Sequence, residues 1–203
     1  MDSVWFRASS LPRKLVTSAH PDMLWPSSLT CVGRTKDAAV TLSLYDASMS
    51  QSFKRPESVL VVVYTRAGKV LLLRRADVPD FWQSVTGSME WGDERPAETA
   101  VRELREETGI VATPAQLTDW KIRQRYVIYA QFRYRYAPDV TENIEHFFSF
   151  ELADEQPVAV NPGEHLEYAW VPFEEAVERV FSWTNRDALL HLMKQRVTQA
   201  CTA

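Results

Sequence analysis

The sequence predicts an α+β sandwich in which helices flank a mixed β-sheet, and three observations carry that reading. Strand-like and helix-like segments interleave without the regular βαβ alternation of a doubly wound fold. The strand-like segments are β-branched and apolar, most clearly residues 58–64. The best helix carries its own punctuation: Pro96 suits a first helical turn, and Gly109 stops a helix expected to end near Thr108.

In chain order, 58–64 reads as a buried strand. Arg66-Ala67-Gly68 then supplies a turn, and 70–75 forms a return strand. Asp77-Val78-Pro79-Asp80 interrupts the pattern, 81–86 adds a short strand, and 87–93 reads as a loop. Beyond the helix at 96–108, residues 124–136, 146–152 and 167–171 read as strands, with helices at 173–181 and 185–199. No internal repeat or low-complexity tract interrupts them.

Composition narrows the class. The chain has 203 residues, of which 45% are hydrophobic and 25% charged, so a compact core forms without help from disulfides or a structural metal. The longest clean apolar run, 59–64, falls far short of the roughly 20 residues that cross a bilayer. The N-terminus lacks a basic segment followed by an apolar one, so no secretory signal is expected. Cys31 and Cys201 fit no metal-ligand spacing, which points to a reduced, cytoplasmic setting. A net charge of -4 argues against a nucleic-acid partner and leaves a small molecule as the expected one. Residues 1–48 mix Ser, Thr and Pro without lasting periodicity. They are expected to form an extension upstream of a natural start at Met49, or a loosely packed arm; 49–203 is the expected functional domain. Oligomeric state is not legible.

The informative segment is the helix at 96–108. At about 100° per residue, Ala97, Ala100, Val101 and Leu104 form one apolar stripe that must face a core. Glu103, Glu106 and Glu107, at i, i+3 and i+4, fall on an adjoining face. Such carboxylates repel, and two lie near the helix C-terminus, where the macrodipole disfavours anions. A divalent cation such as Mg²⁺ reverses the sign of both effects. A solvated acidic face offset by Arg102 and Arg105 would also explain the triplet taken alone.

Glu94, Arg102, Glu103, Leu104, Glu106, Glu107, Gly109 and Ile110 stand in the register of the Nudix box, which opens on a glycine matched by Gly87. One extra residue separates Gly87 from Glu94; Asp93 holds the strict spacing, and Glu94 is preferred because everything after it aligns. The segment thus resembles the Nudix hydrolase family. That resemblance implies a Nudix-type α/β/α sandwich and attack of metal-activated water on the phosphorus of a nucleoside diphosphate derivative. It implies Glu103, Glu107 and the later Glu164 as metal ligands, Glu106 as a further ligand or the water-orienting base, and Arg102 as a brace for the carboxylates. Mg²⁺ is the implied ion, with Mn²⁺ as a substitute.

Lys54-Arg55-Pro56, 80–88, Arg135-Tyr136-Ala137-Pro138 and 182–186 extend the resemblance to the branch of the family that removes pyrophosphate from 7,8-dihydroneopterin triphosphate in folate biosynthesis. That branch implies substrate contacts from Lys54, Arg74, Thr86, Ser182 and the stretch Tyr126, Val127, Ile128 and Tyr129. Strand alternation admits only one of Arg74 and Arg75 to a site, and Arg74 is the one expected. Trp82 and Trp183 are expected in the core, and His165 as polar surface. Two alternatives stand beside this reading: a broader pyrophosphatase of dATP and similar triphosphates, and a nucleotide-binding module without hydrolysis.

Overall fold

A computed structural model of the chain describes residues 53–92 and 95–202; the expectations for 1–48, Met49, Asp93 and Glu94 lie outside the described residues. Seven strands, β1 (Glu57–Thr65), β2 (Lys69–Arg75), β3 (Trp82–Gln83), β4 (Val85–Ser88), β5 (Thr118–Val127), β6 (Glu142–Leu152) and β7 (His165–Pro172), form one mixed sheet. Three α-helices accompany them among the described residues: α1 (Pro96–Thr108), α2 (Phe173–Arg179) and α3 (Trp183–Thr202). The expected mixed sheet between helices is present.

β1 organises the fold because its sequence is apolar on both faces, as suits a central strand covered on both sides. Val59, Val61 and Val63 pack in one cluster with Ala100 and Leu104 of α1. Leu60, Val62 and Tyr64 pack in another with residues of α2 and α3, among them Ala176, Val177 and Leu189. Along one edge β1 runs parallel to β6 throughout, from Glu57 opposite Ile144 to Thr65 opposite Leu152. Its other edge is shared. Ser58 to Val61 pair antiparallel with β4, while Tyr64 meets Val70 of β2.

The expected strand at 81–86 is therefore two strands, because the chain changes partner at Ser84. The side chain of Asn185, in the first turn of α3, clamps that break: Ser84 N–H donates to Asn185 Oδ1 (2.7 Å) and Asn185 Nδ2 donates to Ser84 Oγ (2.9 Å). β3 stays with β2, and β4 crosses to β1. Gly87 and Ser88, read as loop, continue β4, since the free half of the β1 edge is available to pair with them.

Residues 124–136 also fold differently from the expectation of one strand. β5 starts at Thr118, where Trp120 Nε1 donates to Ser149 Oγ of β6 (2.9 Å), and it ends at Val127. The next residues wind into a 3₁₀ helix, Ala130–Arg135. Helix α1 matches its expected bounds. Glu98 accepts a hydrogen bond from Arg95 N–H (3.1 Å) at the start, and Gly109, at φ 73°, donates to Arg105 O at the end.

Candidate active site

The site grows from the contact of α1 with β4. Pairing with β1 holds Thr86, Gly87 and Ser88 against the acidic face of the helix, and Gly87 has to be glycine there. A Cβ at Gly87 would stand 1.8 Å from Glu103 Cδ. The close approach buries two of the three carboxylates: Glu103 and Glu107 are nearly inaccessible, whereas Glu106 is exposed.

Hydrogen bonds fix this cluster. Arg102 Nη1 donates to Glu103 Oε1 (2.7 Å) and Glu106 Oε2 (3.1 Å), and its Nη2 donates to Ser88 O (3.0 Å). One guanidinium thus offsets two carboxylates and ties them to β4. Thr86 N–H donates to Glu107 Oε2 (3.2 Å). From the start of β7, His165 Nε2 stands 3.1 Å from Glu107 Oε1. That approach is within ion-pair range but too oblique for a hydrogen bond, and neither ring nitrogen of His165 has a hydrogen-bond partner among the described residues. The expectation of His165 as polar surface is corrected: it is 2% exposed, because its backbone N–H bonds back to Asn161 O and turns the ring inward.

Burial pushes the Glu103 carboxyl up to about 7, with Arg102 opposing and the charges of Glu107 and Glu106 adding. Burial also raises Glu107, against the opposing effects of His165 and the Thr86 N–H. Ligand atoms of Glu107, Glu164 and His165 all lie within 4.8 Å of one another. Buried carboxyls held above their ordinary range, crowded together and facing an accessible cleft, are a donor set that fits a divalent cation.

The cleft in front of this cluster measures about 790 Å³ and is lined by both acidic and basic side chains. Glu103, Glu106, Glu107 and Glu164 line it together with Lys54, Arg75 and Arg135, and Lys54 lies near enough to feel the charges of Glu103 and Glu164. Burial, then the charge of Arg135, lowers the pKa of Lys54. Arg75 and Arg135 both pair with Asp77, at 2.6 and 2.9 Å. A second cavity of about 120 Å³ shares Lys54, Arg75, Thr86, Gly87, Ser88 and Arg135 with the cleft. Its walls are Phe81, Tyr126, Ile128, Tyr129, Phe132 and Trp183, and its polar groups include Gln83, Glu145 and Ser182.

Of the substrate contacts expected from sequence, Lys54, Thr86, Tyr126, Ile128, Tyr129 and Ser182 line these cavities. Two do not. Val127, the last residue of β5, points outward and is 68% exposed, as alternation requires once Tyr126 faces in. Arg74 lies on the far side of β2 and pairs with Glu167 at 2.9 Å; Arg75 lines both cavities. β2 carries Leu71 and Leu73 on the α1 side and Val70 and Leu72 on the other, so Arg75 continues the α1 side. Trp82 is buried as expected, but Trp183 is 46% exposed at the cavity mouth. Sequence reasoning passed over Glu145, gave Arg135 no role in the site although it quoted it for the resemblance, and placed His165 on the surface.

A mixed sheet between helices, with this carboxylate helix pressed onto a glycine-containing strand, defines a Nudix domain. The NUDIX domain signature matches residues 54–192, and the chain belongs to that family. It is 44% identical over 140 residues to the dihydroneopterin triphosphate diphosphatase of Escherichia coli, covering 68% of this chain and 91% of that one. Identity to the Haemophilus influenzae dihydroneopterin triphosphate diphosphatase is 42% over 146 residues, 70% of this chain and 90% of the relative. The solved E. coli dihydroneopterin triphosphate pyrophosphohydrolase superposes with a TM-score of 0.63 at 43% identity, over 68% of this chain and 94% of its own.

Proposed function

We propose that this protein hydrolyses 7,8-dihydroneopterin triphosphate to dihydroneopterin monophosphate and pyrophosphate, a step that serves folate biosynthesis. The observation that carries the reading is the continuity of the two cavities. A polar cleft lined by carboxylates and cations opens through Thr86–Ser88 into an aromatic pocket. A triphosphate bearing a flat ring has that division of chemistry. Identity above 40% to dihydroneopterin triphosphate diphosphatases over nearly their whole length supports the same substrate.

In this reading Glu103, Glu107 and Glu164 hold a divalent cation, with Glu106 beside them, and oxygen donors favour Mg²⁺ with Mn²⁺ as substitute. When bound, that ion screens phosphate charge and lowers the pKa of water. Lys54, Arg75 and Arg135 grip the phosphate chain. Arg102 keeps Glu103 and Glu106 side by side against their repulsion. Glu106, the exposed member, takes the proton of the attacking water as the α–β phosphoanhydride bond breaks and pyrophosphate leaves. Thr86, Tyr126, Ile128, Tyr129 and Ser182 surround the ring and its side chain. The small ring pocket suits a free nucleotide-sized molecule better than a nucleic acid. Cytoplasmic residence accords with the cysteine usage; among the described residues no helix is long and apolar enough to cross a membrane.

Phosphorus NMR on the reaction, with and without a chelator, tests the proposal. Pyrophosphate and a monophosphate ester should appear together and stop on chelation. Release of orthophosphate, or turnover indifferent to the chelator, would refute it.

A further inference from the structure

The ring pocket holds a group that the hydrolytic chemistry leaves unused. Glu145 sits on β6 between Ser58 of β1 and Gln124 of β5, on the same face as the core residue Phe147. It is 4% exposed, yet it lines the ring cavity. Thr184, in the first turn of α3, donates a hydrogen bond to it, while its Oε2 has no hydrogen-bond partner among the described residues. No cation pairs with it among the described residues. Burying a carboxyl oxygen without a partner is costly, so a carboxylate kept there calls for a ligand that supplies donors.

We propose that Glu145 is the residue that reads the substrate's ring, its carboxylate accepting hydrogen bonds from the two adjacent donors of a 2-amino-4-oxopyrimidine edge. The inference rests on the substrate reading above and deepens it. An ionised carboxylate only accepts, and its two oxygens match two parallel N–H donors. A pterin offers that pair in its ring N–H and 2-amino group, and guanine offers the same pair. Adenine and cytosine each set a ring nitrogen lone pair beside their amino group, which faces the carboxylate with repulsion. The site should therefore select pterin and guanine triphosphates and reject adenine and cytosine ones. Thr184 is a positioning residue: its hydroxyl occupies part of the carboxyl group and leaves the remainder for the ring.

The aromatic walls agree with this role. Tyr126 comes from β5, Ile128 from just beyond its end and Phe132 from the 3₁₀ turn, and they give the cavity apolar surface to cover a ring whose edge meets Glu145. The same groups are indifferent to which flat base they cover, which leaves discrimination to the carboxylate.

The test compares kcat/KM of the full chain and of Glu145→Gln on dihydroneopterin triphosphate, GTP and ATP. The wild type should prefer GTP to ATP. The variant should lose about 10- to 100-fold on the pterin and guanine substrates, since the amide turns an N–H toward a donor. Its activity on ATP should hold or rise, because the amide offers a donor to the adenine ring nitrogen in place of a repelling charge, so the preference collapses. A uniform loss on all three, or an unchanged ratio, overturns the proposal. Binding of unphosphorylated neopterin, followed by its fluorescence, should weaken in the variant by a similar factor; unchanged binding also overturns it. If Glu145→Gln does not fold, Glu145→Asp, which keeps the charge but withdraws it, gives the same readout. The two readings fail separately. A wild type inactive on the pterin substrate that still prefers GTP through Glu145 sinks the substrate assignment alone. A pterin triphosphatase whose preference ignores Glu145 sinks this inference alone.

Discussion

Replacing Gly87 with alanine should nearly abolish turnover while sparing the fold. The added Cβ would lie 1.8 Å from Glu103 Cδ and 1.9 Å from its Oε1. Ordinary contact begins near 3.4 Å, so the carboxylate must withdraw by about 1.6 Å. The backbone itself accepts alanine, because Gly87 is not among the residues with positive φ. What yields is the end of a flexible side chain, so the stability change should be small: crowding costs roughly 1–3 kcal/mol, and the loss of a glycine returns roughly 0.4–1. Catalysis has no such slack, since a misplacement of about 1 Å costs on the order of 100-fold in rate. Initial rates of pyrophosphate release at saturating divalent ion should therefore fall at least about 100-fold, with a thermal midpoint within a few degrees of wild type. Shortening the neighbour supplies an internal control. Glu103→Asp should cost much less in the Gly87→Ala background than alone, because the shorter side chain makes room for the methyl. A folded Gly87→Ala enzyme with kcat within about twofold of wild type would refute the claim that this close approach sets the carboxylate's position.

Glu107→Gln should lower kcat by orders of magnitude in the same assay, yet hold or raise stability in denaturant titration, because it removes a charge that burial disfavours. Arg75→Met should raise KM for a triphosphate substrate about tenfold or more, whereas Arg74→Met should leave both constants near wild type; steady-state kinetics on the pair decides which face of β2 meets the phosphates. Burial raises Glu145 from 4.5 to about 7, so the folded state binds a proton more tightly than the unfolded chain, and stability falls between about pH 4.5 and 7 as the pH rises. The facing phenols Tyr126, Tyr129 and Tyr136 are raised above their usual value and stay neutral. Denaturant titrations of Glu145→Gln should show a gain over wild type that is larger at pH 8 than at pH 5 by on the order of 2 kcal/mol.

What could be read from sequence was what local geometry alone determines. The i, i+3, i+4 spacing of Glu103, Glu106 and Glu107 needs only a helix, and Pro96 and Gly109 bound that helix from within. Phase on β2 was different in kind. Val70, Leu71, Leu72 and Leu73 are all buried, so alternation carries no sign of which face meets α1, and Arg74 and Arg75 could not be told apart. Residues 124–136 failed for a related reason. Aromatic and branched residues there line a pocket instead of pairing in a ladder, and composition does not separate these uses. His165 was illegible because its burial depends on a turn that closes through Asn161. Glu145 did leave a trace. Asn143, Glu145, Phe147 and Ser149 share one face of β6 and are all buried, and polar residues at spacing two inside a strand are a signal worth reading.

The break at Ser84 explains how one sheet serves both halves of the site. Had 81–86 continued along β2, Thr86 and Gly87 would never reach the acidic face of α1. Because Asn185 holds Ser84 out of the ladder, β4 crosses to β1, and the chain passes between the ring cavity and the phosphate cleft at that crossing. Gln83 and Thr86 then face each other across the break, with Gln83 Nε2 donating to Thr86 Oγ1 at 2.9 Å. That bond leaves the Thr86 hydroxyl proton free to turn toward an acceptor at the junction, while Thr86 N–H is committed to Glu107. Asn185 belongs to the first turn of α3 with Thr184, and its N–H donates to Ser182 just before the helix; Ser182 and Thr184 both line the ring cavity. One side chain therefore ties the α3 end of the ring pocket to the strand that supports the carboxylates. The spacing of the two cavities is set by packing in the core, not by a surface loop.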